Sequence, residues 1–172
     1  MCTRTSARAR AAEAVNTLAL LDDTFGDNTD GVGLVRDIEA NLGFSLAGKN
    51  ALLLAAGGAA RGVVATLLEA SVTRLVIANR TVSKARALAA RFAPASAAGY
   101  ELPLPASVLA TGVLAYDMVY GRDTRFLAAA RGAGARACDG LGMLVEQAAK
   151  CFFLWRGVRP PTGGVLAELC GR

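Results

Sequence analysis

Two kinds of apolar pattern follow one another along this chain. Short unbroken apolar runs end on glycine or polar residues, and each is followed by a stretch with helical composition. From Asn50 to Ala56 the run Asn-Ala-Leu-Leu-Leu-Ala-Ala predicts a buried strand, Gly57-Gly58 a tight turn, and Ala59 to Ala70 a helix. Arg74 to Ala78, rich in branched apolar residues, predicts a second strand, and Val82 to Phe92 a second helix with Leu88 and Phe92 four apart on one face. Strand, helix, strand, helix in that order requires a parallel sheet with a right-handed crossover. Beyond it, Val113 to Val119 reads as a strand, Thr124 to Arg131 as a short helix, Ala135 to Cys138 as a short edge-like strand, and Leu141 to Trp155 as a long amphipathic helix. Gly-Val-Arg-Pro-Pro then breaks the chain before a last helix around Val165 to Leu169. Upstream, Ala7 to Ala14 reads as helix, Val15 to Leu21 as extended and Gly31 to Leu42 as helix. The expected class is α/β, a doubly wound, mostly parallel sheet with flanking helices.

Length and composition narrow this picture. The chain has 172 residues, 53% of them hydrophobic and only 6% aromatic, enough for one well-buried domain and too short for two full-sized ones. A net charge of +5 raises the question of an anionic partner, yet no run of five basic residues and no stacking aromatics accompany it. That argues against nucleic acid and toward a phosphorylated small molecule. Cys2, Cys138, Cys151 and Cys170 show no CxxC spacing and there is no histidine, so a zinc set is excluded and reduced, mostly buried thiols in the cytoplasm are expected. The longest uncharged apolar run, Leu102 to Tyr116, is too short for a membrane span and contains Pro103 and Pro105. Arg4, Arg8 and Arg10 among Ser and Thr resemble a transit peptide, although a helix entering the domain explains them equally well. Without histidine, proton transfer falls to Asp, Glu, Lys, Tyr or Cys.

The chemistry gathers at Ala55-Ala56-Gly57-Gly58-Ala59-Ala60-Arg61-Gly62, between a predicted strand and helix. A dinucleotide site needs a sharp turn, a residue without Cβ where backbone meets pyrophosphate, and a small residue where helix meets strand. Gly57 meets the second need and Ala60 the third. Ala55 stands where this Rossmann-like fingerprint has its first glycine, and a positive φ there would cost about 1–2 kcal/mol. By itself the Gly-Gly pair also fits a close packing point. The end of the second strand, about 20 residues on, distinguishes cofactors: an acid would bind a ribose 2′-hydroxyl, an arginine a 2′-phosphate. Here it reads Asn79-Arg80-Thr81, with Lys84 one turn later. Positive charge in a first helical turn opposes the helix dipole unless an anion binds there. NADP is therefore expected over NAD.

Val-Asn-Thr-Leu (15–18), Asn-Thr-Asp-Gly (28–31), Gly-Gly-Ala-Ala-Arg-Gly (57–62), Asn-Arg-Thr (79–81), Tyr-Asp-Met-Val-Tyr (116–120) and Asp-Gly-Leu-Gly-Met-Leu-Val-Glu-Gln-Ala (139–148) together resemble, in order, the shikimate dehydrogenase family. The resemblance implies reversible reduction of 3-dehydroshikimate to shikimate with NADPH, in the route to aromatic amino acids, by an N-terminal substrate domain followed by a Rossmann-like cofactor domain. It implies that Asn16 and Asp30 hold substrate hydroxyls, that Asp30 partners a lysine passing a proton to and from the reacting oxygen, and that Tyr120 and Gln147 touch substrate. It places the cofactor on Ala55, Ala56, Gly57, Gly58, Ala59, Asn79, Arg80, Thr81, Lys84, Met118 and Gly140, with Met143 near the nicotinamide. Residues 1–30 are then the remnant of the substrate domain and interdomain segment, 31–150 the cofactor domain and 151–172 a C-terminal helical segment. The partners implied are shikimate or 3-dehydroshikimate, with no nucleic acid and no membrane; a homodimer stays open.

Two departures from the family pattern stand out. Lys49, Lys84 and Lys150 are the only lysines and none matches the family's lysine motif; that group and a serine pair are expected from residues before Met1. Between Phe92 and Leu104 roughly one strand and an Asn-Ala-Thr turn over the nicotinamide are missing, which would leave sheet edges open. The chain is therefore expected to be a shortened version of a longer protein, an expectation that an intact mass near 17.6 kDa would refute. The alternatives are an NAD-dependent quinate/shikimate dehydrogenase, disfavoured by Arg80, and a non-catalytic NADP-binding module, favoured by the missing lysine and strand.

Overall fold

The computed structural model describes residues 4–20, 23–99, 104 and 106–170. The first unit is a small mixed sheet of β1 (Arg4–Thr5), β2 (Thr17–Leu20) and β3 (Thr24–Asp27), in the order β1-β3-β2. β3 runs parallel to β1 and antiparallel to β2. Between β1 and β2 lies α1 (Ala7–Ala12), whose first turn is capped by Ser6 Oγ accepting from the Ala9 N–H at 3.0 Å. α2 (Asp30–Arg36) leaves the end of β3 and continues as one widened, π-helical turn over Asp37–Asn41.

β4 (Asn50–Leu54), α3 (Gly58–Glu69), β5 (Arg74–Ala78), α4 (Val82–Ala89) and β6 (Ser96–Ala98) follow as the expected strand–helix alternation. All three strands are parallel, in the order β4-β5-β6. Leu75 and Ile77 of β5 and Val63 and Val64 of α3 are fully buried, each contributing about 1.5–3 kcal/mol of hydrophobic stabilisation. β7 (Leu114–Tyr116), α5 (Arg125–Gly132), β8 (Arg136–Cys138), α6 (Leu141–Arg156) and α7 (Gly163–Cys170) complete the chain. β7 and β8 pair in parallel. Thr124 caps α5 by accepting from the Leu127 N–H, so the threonine at which the sequence reading starts this helix is its capping residue.

The structure departs from the sequence reading in several places. β1 and β3 were not expected. β3 carries Gly26 and Asp27, poor strand formers, and forms because it pairs on both sides while the buried Asp27 carboxylate accepts from Ser6, Arg8 and the Asn28 N–H. Residues 4–12 are thus a strand and a helix packed into the domain. The stretch expected to lack a strand holds β6, three residues long and parallel to β5. Nor is there a single sheet among the described residues: β4-β5-β6 and β7-β8 are separate hydrogen-bonded sets. A common core joins them, since Leu114, Tyr116 and Met118 pack against the cluster of Leu53, Val63 and Ile77.

α2 holds the molecule together, lying against both α3 and α6. The helices meet at backbone distance. A Cβ on Gly31 would come within 2.2 Å of Thr66 Oγ1, one on Gly33 within 2.6 Å of the Met143 carbonyl, and one on Gly62 within 2.9 Å of Asp30 Oδ2. These contacts fix the start of α2, where Asp30 sits, against α3 and α6. No helix of the described residues is long and apolar enough to cross a membrane.

Candidate functional site

The register of β4 and β5 decides the geometry of the candidate anion site. Leu54 pairs with Ala78, and the Ala55 N–H donates to the Ala78 carbonyl at 2.8 Å, so the glycine turn and Asn79-Arg80-Thr81 leave the sheet side by side at its carboxyl end. Ligands bind at this end of open α/β sheets. α3 begins at Gly58 after Gly57, with no capping side chain and no acid in its first turn. A Cβ on Gly57 or Gly58 would meet nothing within 4 Å, so the space over the turn is open. The first N–H groups of a helix have no partners within it, and an anion is their natural complement. Arg80 and Lys84 are exposed, and neither makes an ion pair among the described residues. Asn79 closes the local turn, its Nδ2 donating to the Thr81 carbonyl at 2.9 Å. This donor set, backbone N–H groups beside exposed cations, fits a phosphorylated dinucleotide.

Ala55 has φ +104°, in the region glycine prefers. The strain anticipated from the sequence is therefore present. Ala55→Gly should relieve it, raising stability by a net of about 0.5–1 kcal/mol after the added freedom of the unfolded chain; a lowered melting temperature would contradict this.

Next to the turn, a cleft of about 150 Å³ is lined by Asp30, Ala59, Met118, Tyr120, Gly140, Met143, Leu144 and Gln147. It brings together three of the residues expected at substrate and four of those expected at cofactor. Asp30 Oδ1 accepts from Asn16 Nδ2 at 2.7 Å. Burial raises the Asp30 pKa above the ordinary carboxylate range, and the Asn16 hydrogen bond partly opposes it. Asn16 is itself fixed: its Oδ1 accepts from the Thr29 N–H at 3.0 Å and from the Thr17 hydroxyl at 2.9 Å. Gln147 Oε1 is buried and accepts no hydrogen bond among the described residues, a cost tolerated when a ligand supplies the donor. Tyr120 is half-exposed at the rim.

The sequence reading did not single out Leu144, Thr17 or Thr29. Leu144 is signalled by its spacing from Gln147, one turn away on α6. The two threonines, neighbours of the motif residues Asn16 and Asp30, carry no signal of their own. Ala56 packs against the core rather than facing the cleft. None of the three lysines lines it. Lys49 lies over the Phe44 ring and Lys150 over the Phe153 ring, 4.6 Å from its centroid. Burial, then the neighbouring Arg8, lowers the Lys150 pKa, while Asp27 opposes that shift.

Two family models match the chain: "Shikimate / quinate 5-dehydrogenase" over residues 37–111 and "Shikimate 5'-dehydrogenase C-terminal domain" over 140–170. The shikimate dehydrogenase (NADP(+)) of Dechloromonas aromatica is 53% identical over 197 aligned positions, covering 98% of this chain and 72% of that protein. The chain belongs to the shikimate dehydrogenase family. The protein of that name from Methylobacillus flagellatus is also 53% identical, over 98% of this chain and 73% of its own length. Among solved structures, an Ael1 enzyme from Pseudomonas putida superposes with a TM-score of 0.92 at 42% identity, covering 98% of this chain and 72% of that one. The shikimate 5-dehydrogenase of Thermus thermophilus in complex with NADP(H) and shikimate gives 0.83 at 33%, over 95% and 70%. These neighbours establish the Rossmann-like α/β fold of the shikimate dehydrogenases. An alignment of 197 positions to a chain of 172 residues also means that relatives carry residues without counterpart here, inside the matched span.

Proposed function

We propose that this shikimate dehydrogenase family member binds NADP and shikimate and interconverts shikimate and 3-dehydroshikimate. The cleft carries the reading, because it places Asp30 and the unsatisfied Gln147 Oε1 within one cavity with Ala59 of the glycine turn and with Met118, Gly140 and Met143. The 2′-phosphate of the adenosine ribose falls to Arg80, with Lys84 beside it, and the pyrophosphate to the open N-terminus of α3. When bound there, the cofactor would supply the hydride chemistry at the ketone carbon. The chain's own residues orient the substrate: Asn16 and Asp30 engage its hydroxyls, Gln147 accepts from one of them, and Tyr120 closes the rim. Asp30, held by Asn16 and partly desolvated, is the acid–base group that takes the proton of the reacting hydroxyl as shikimate is oxidised and returns it to the oxygen in the reverse direction.

Shikimate-dependent formation of NADPH, followed by absorbance, tests the activity, and NADPH binding tests the cofactor assignment separately. Binding without turnover would favour the non-catalytic module, which a cleft lined by none of the three lysines makes a specific rival. Tighter binding of NAD than of NADP would overturn the cofactor choice. Arg80→Ala should weaken NADP about 10- to 100-fold, the loss of one charge-assisted phosphate grip, and leave NAD nearly unchanged. Equal loss for both nucleotides, measured by titration calorimetry, would refute the phosphate role.

A further inference from the structure

The first turn of α6 is capped from outside the helix. Gly140 precedes it without a capping side chain, and the Met143 N–H instead donates to the Tyr116 hydroxyl at 3.1 Å. That hydroxyl in turn donates to Asp37 Oδ2 at 2.7 Å. Asp37 is fully buried on the widened turn after α2, and its Oδ1 accepts from Asn41 Nδ2 at 3.0 Å. The carboxylate lies so close to α6 that a Cβ on Gly142 would come within 2.1 Å of Asp37 Oδ1. Burial and the adjacent carboxylate hold the phenol far above its ordinary pKa, so it stays a donor to Asp37. With its proton committed there, its lone pair is left for the Met143 N–H. Strand β7, helix α2 and helix α6 thus meet at one phenol.

We propose that Tyr116 and Asp37 are positioning residues for the nicotinamide end of the site, setting the start of α6 and with it Gly140 and Met143, which line the cleft. Neither touches the cleft; they act through the α6 backbone. The inference rests on the reading above that Met143 lies near the nicotinamide and Gly140 meets the cofactor, and it predicts a split between the two ends of the cofactor. The adenosine end rests on Arg80, Lys84 and the first turn of α3, and the phenol hydroxyl is hydrogen-bonded to Asp37 and Met143 and to none of these.

Tyr116→Phe keeps the ring and removes the shared hydroxyl, leaving the Met143 N–H without its acceptor. Binding of NADPH and of adenosine 2′,5′-bisphosphate would be titrated for both proteins, with reduced-nicotinamide fluorescence recorded for NADPH. NADPH should weaken about tenfold and lose its bound emission change, while the bisphosphate keeps its wild-type affinity. Equal weakening of both ligands would reduce Tyr116 to a purely structural role, and no weakening of either would remove the role altogether; both overturn the proposal. Failure of the wild type to bind the bisphosphate would instead remove the NADP reading, and this inference with it. Should Tyr116→Phe melt below the assay temperature, Asp37→Asn, equal in size and able to keep one acceptor, carries the same comparison and should show the same split.

Discussion

Replacing Asp30 by asparagine is expected to lower shikimate-dependent NADP reduction by about 10²- to 10⁴-fold, the usual contribution of a positioned acid–base group, with NADPH affinity within about twofold of wild type. The split follows from the roles assigned above: Asp30 is hydrogen-bonded to Asn16 Nδ2 in the cleft, whereas the cofactor phosphates fall to Arg80, Lys84 and the N–H groups at the start of α3. Its raised pKa sets the pH behaviour. The ionised form accumulates only as pH rises through a value above the ordinary carboxylate range, so activity that needs the carboxylate should fall on the acid side earlier than for an exposed aspartate, and Asp30→Asn should abolish that limb. A raised folded-state pKa also means that this group opposes folding once it ionises. Asp30→Asn should therefore not lower the melting temperature at neutral pH. If turnover and NADPH binding fell together, Asp30 would be a cofactor or folding residue and its assigned role would be lost.

The second large effect concerns stability. Glu146 Oε2 lies 3.2 Å from Arg36 Nε and also pairs with Arg159, while Oε1 accepts from Asn41 at 3.1 Å and from Thr162 at 2.8 Å. The carboxylate is fully buried, but Arg36 and Arg159 are partly exposed, which reduces what each ion pair contributes. Glu146→Gln presents an amide N–H₂ group where only donors converge, and should cost about 2–3 kcal/mol. For a chain of this size that lowers the melting temperature by about 5–10 °C. Arg159 and Thr162 lie in the segment between α6 and α7, so hydrogen exchange should speed up first in α7. Unchanged melting together with unchanged α7 protection would show that the network is dispensable.

How far the sequence led can be judged from particular elements. β5 coincides with the predicted Arg74–Ala78, because five apolar-rich residues between turns leave little choice of register or type. Ala55 was legible as a point of strain before its φ was known, since the turn demands a left-handed residue whatever occupies it. β1 and β3 were not legible. Their residues favour neither strand nor helix strongly, and only pairing with each other, the pairing of β3 with β2, and satisfaction of Asp27 by Ser6 and Arg8 make them strands.

Tyr116 illustrates the same boundary from the side of function. In the sequence it is the first residue of a Tyr-Asp-Met-Val-Tyr motif whose second tyrosine drew the substrate role, and Asp37 is one polar position in a predicted helix. Their pairing across 79 positions is invisible until α2 is packed against α6. Likewise nothing in the sequence sets Glu146 apart beyond its place next to Gln147, yet it is buried among Arg36, Asn41, Arg159 and Thr162.

What the amino-acid order determined unaided was local: the β4–α3–β5–α4 alternation, where the backbone turns sharply beside a cation-bearing strand end, and hence which dinucleotide to expect. Those depend on nearest neighbours and on charge, which travel with the sequence. What the folded chain alone decided was which side chains share a cavity, which carboxylates lose their water, and that the β4 and β7 edges are joined through a core rather than by hydrogen bonds. Such outcomes depend on long-range packing, where a glycine's missing methyl sets the distance between helices, and no local pattern encodes that distance.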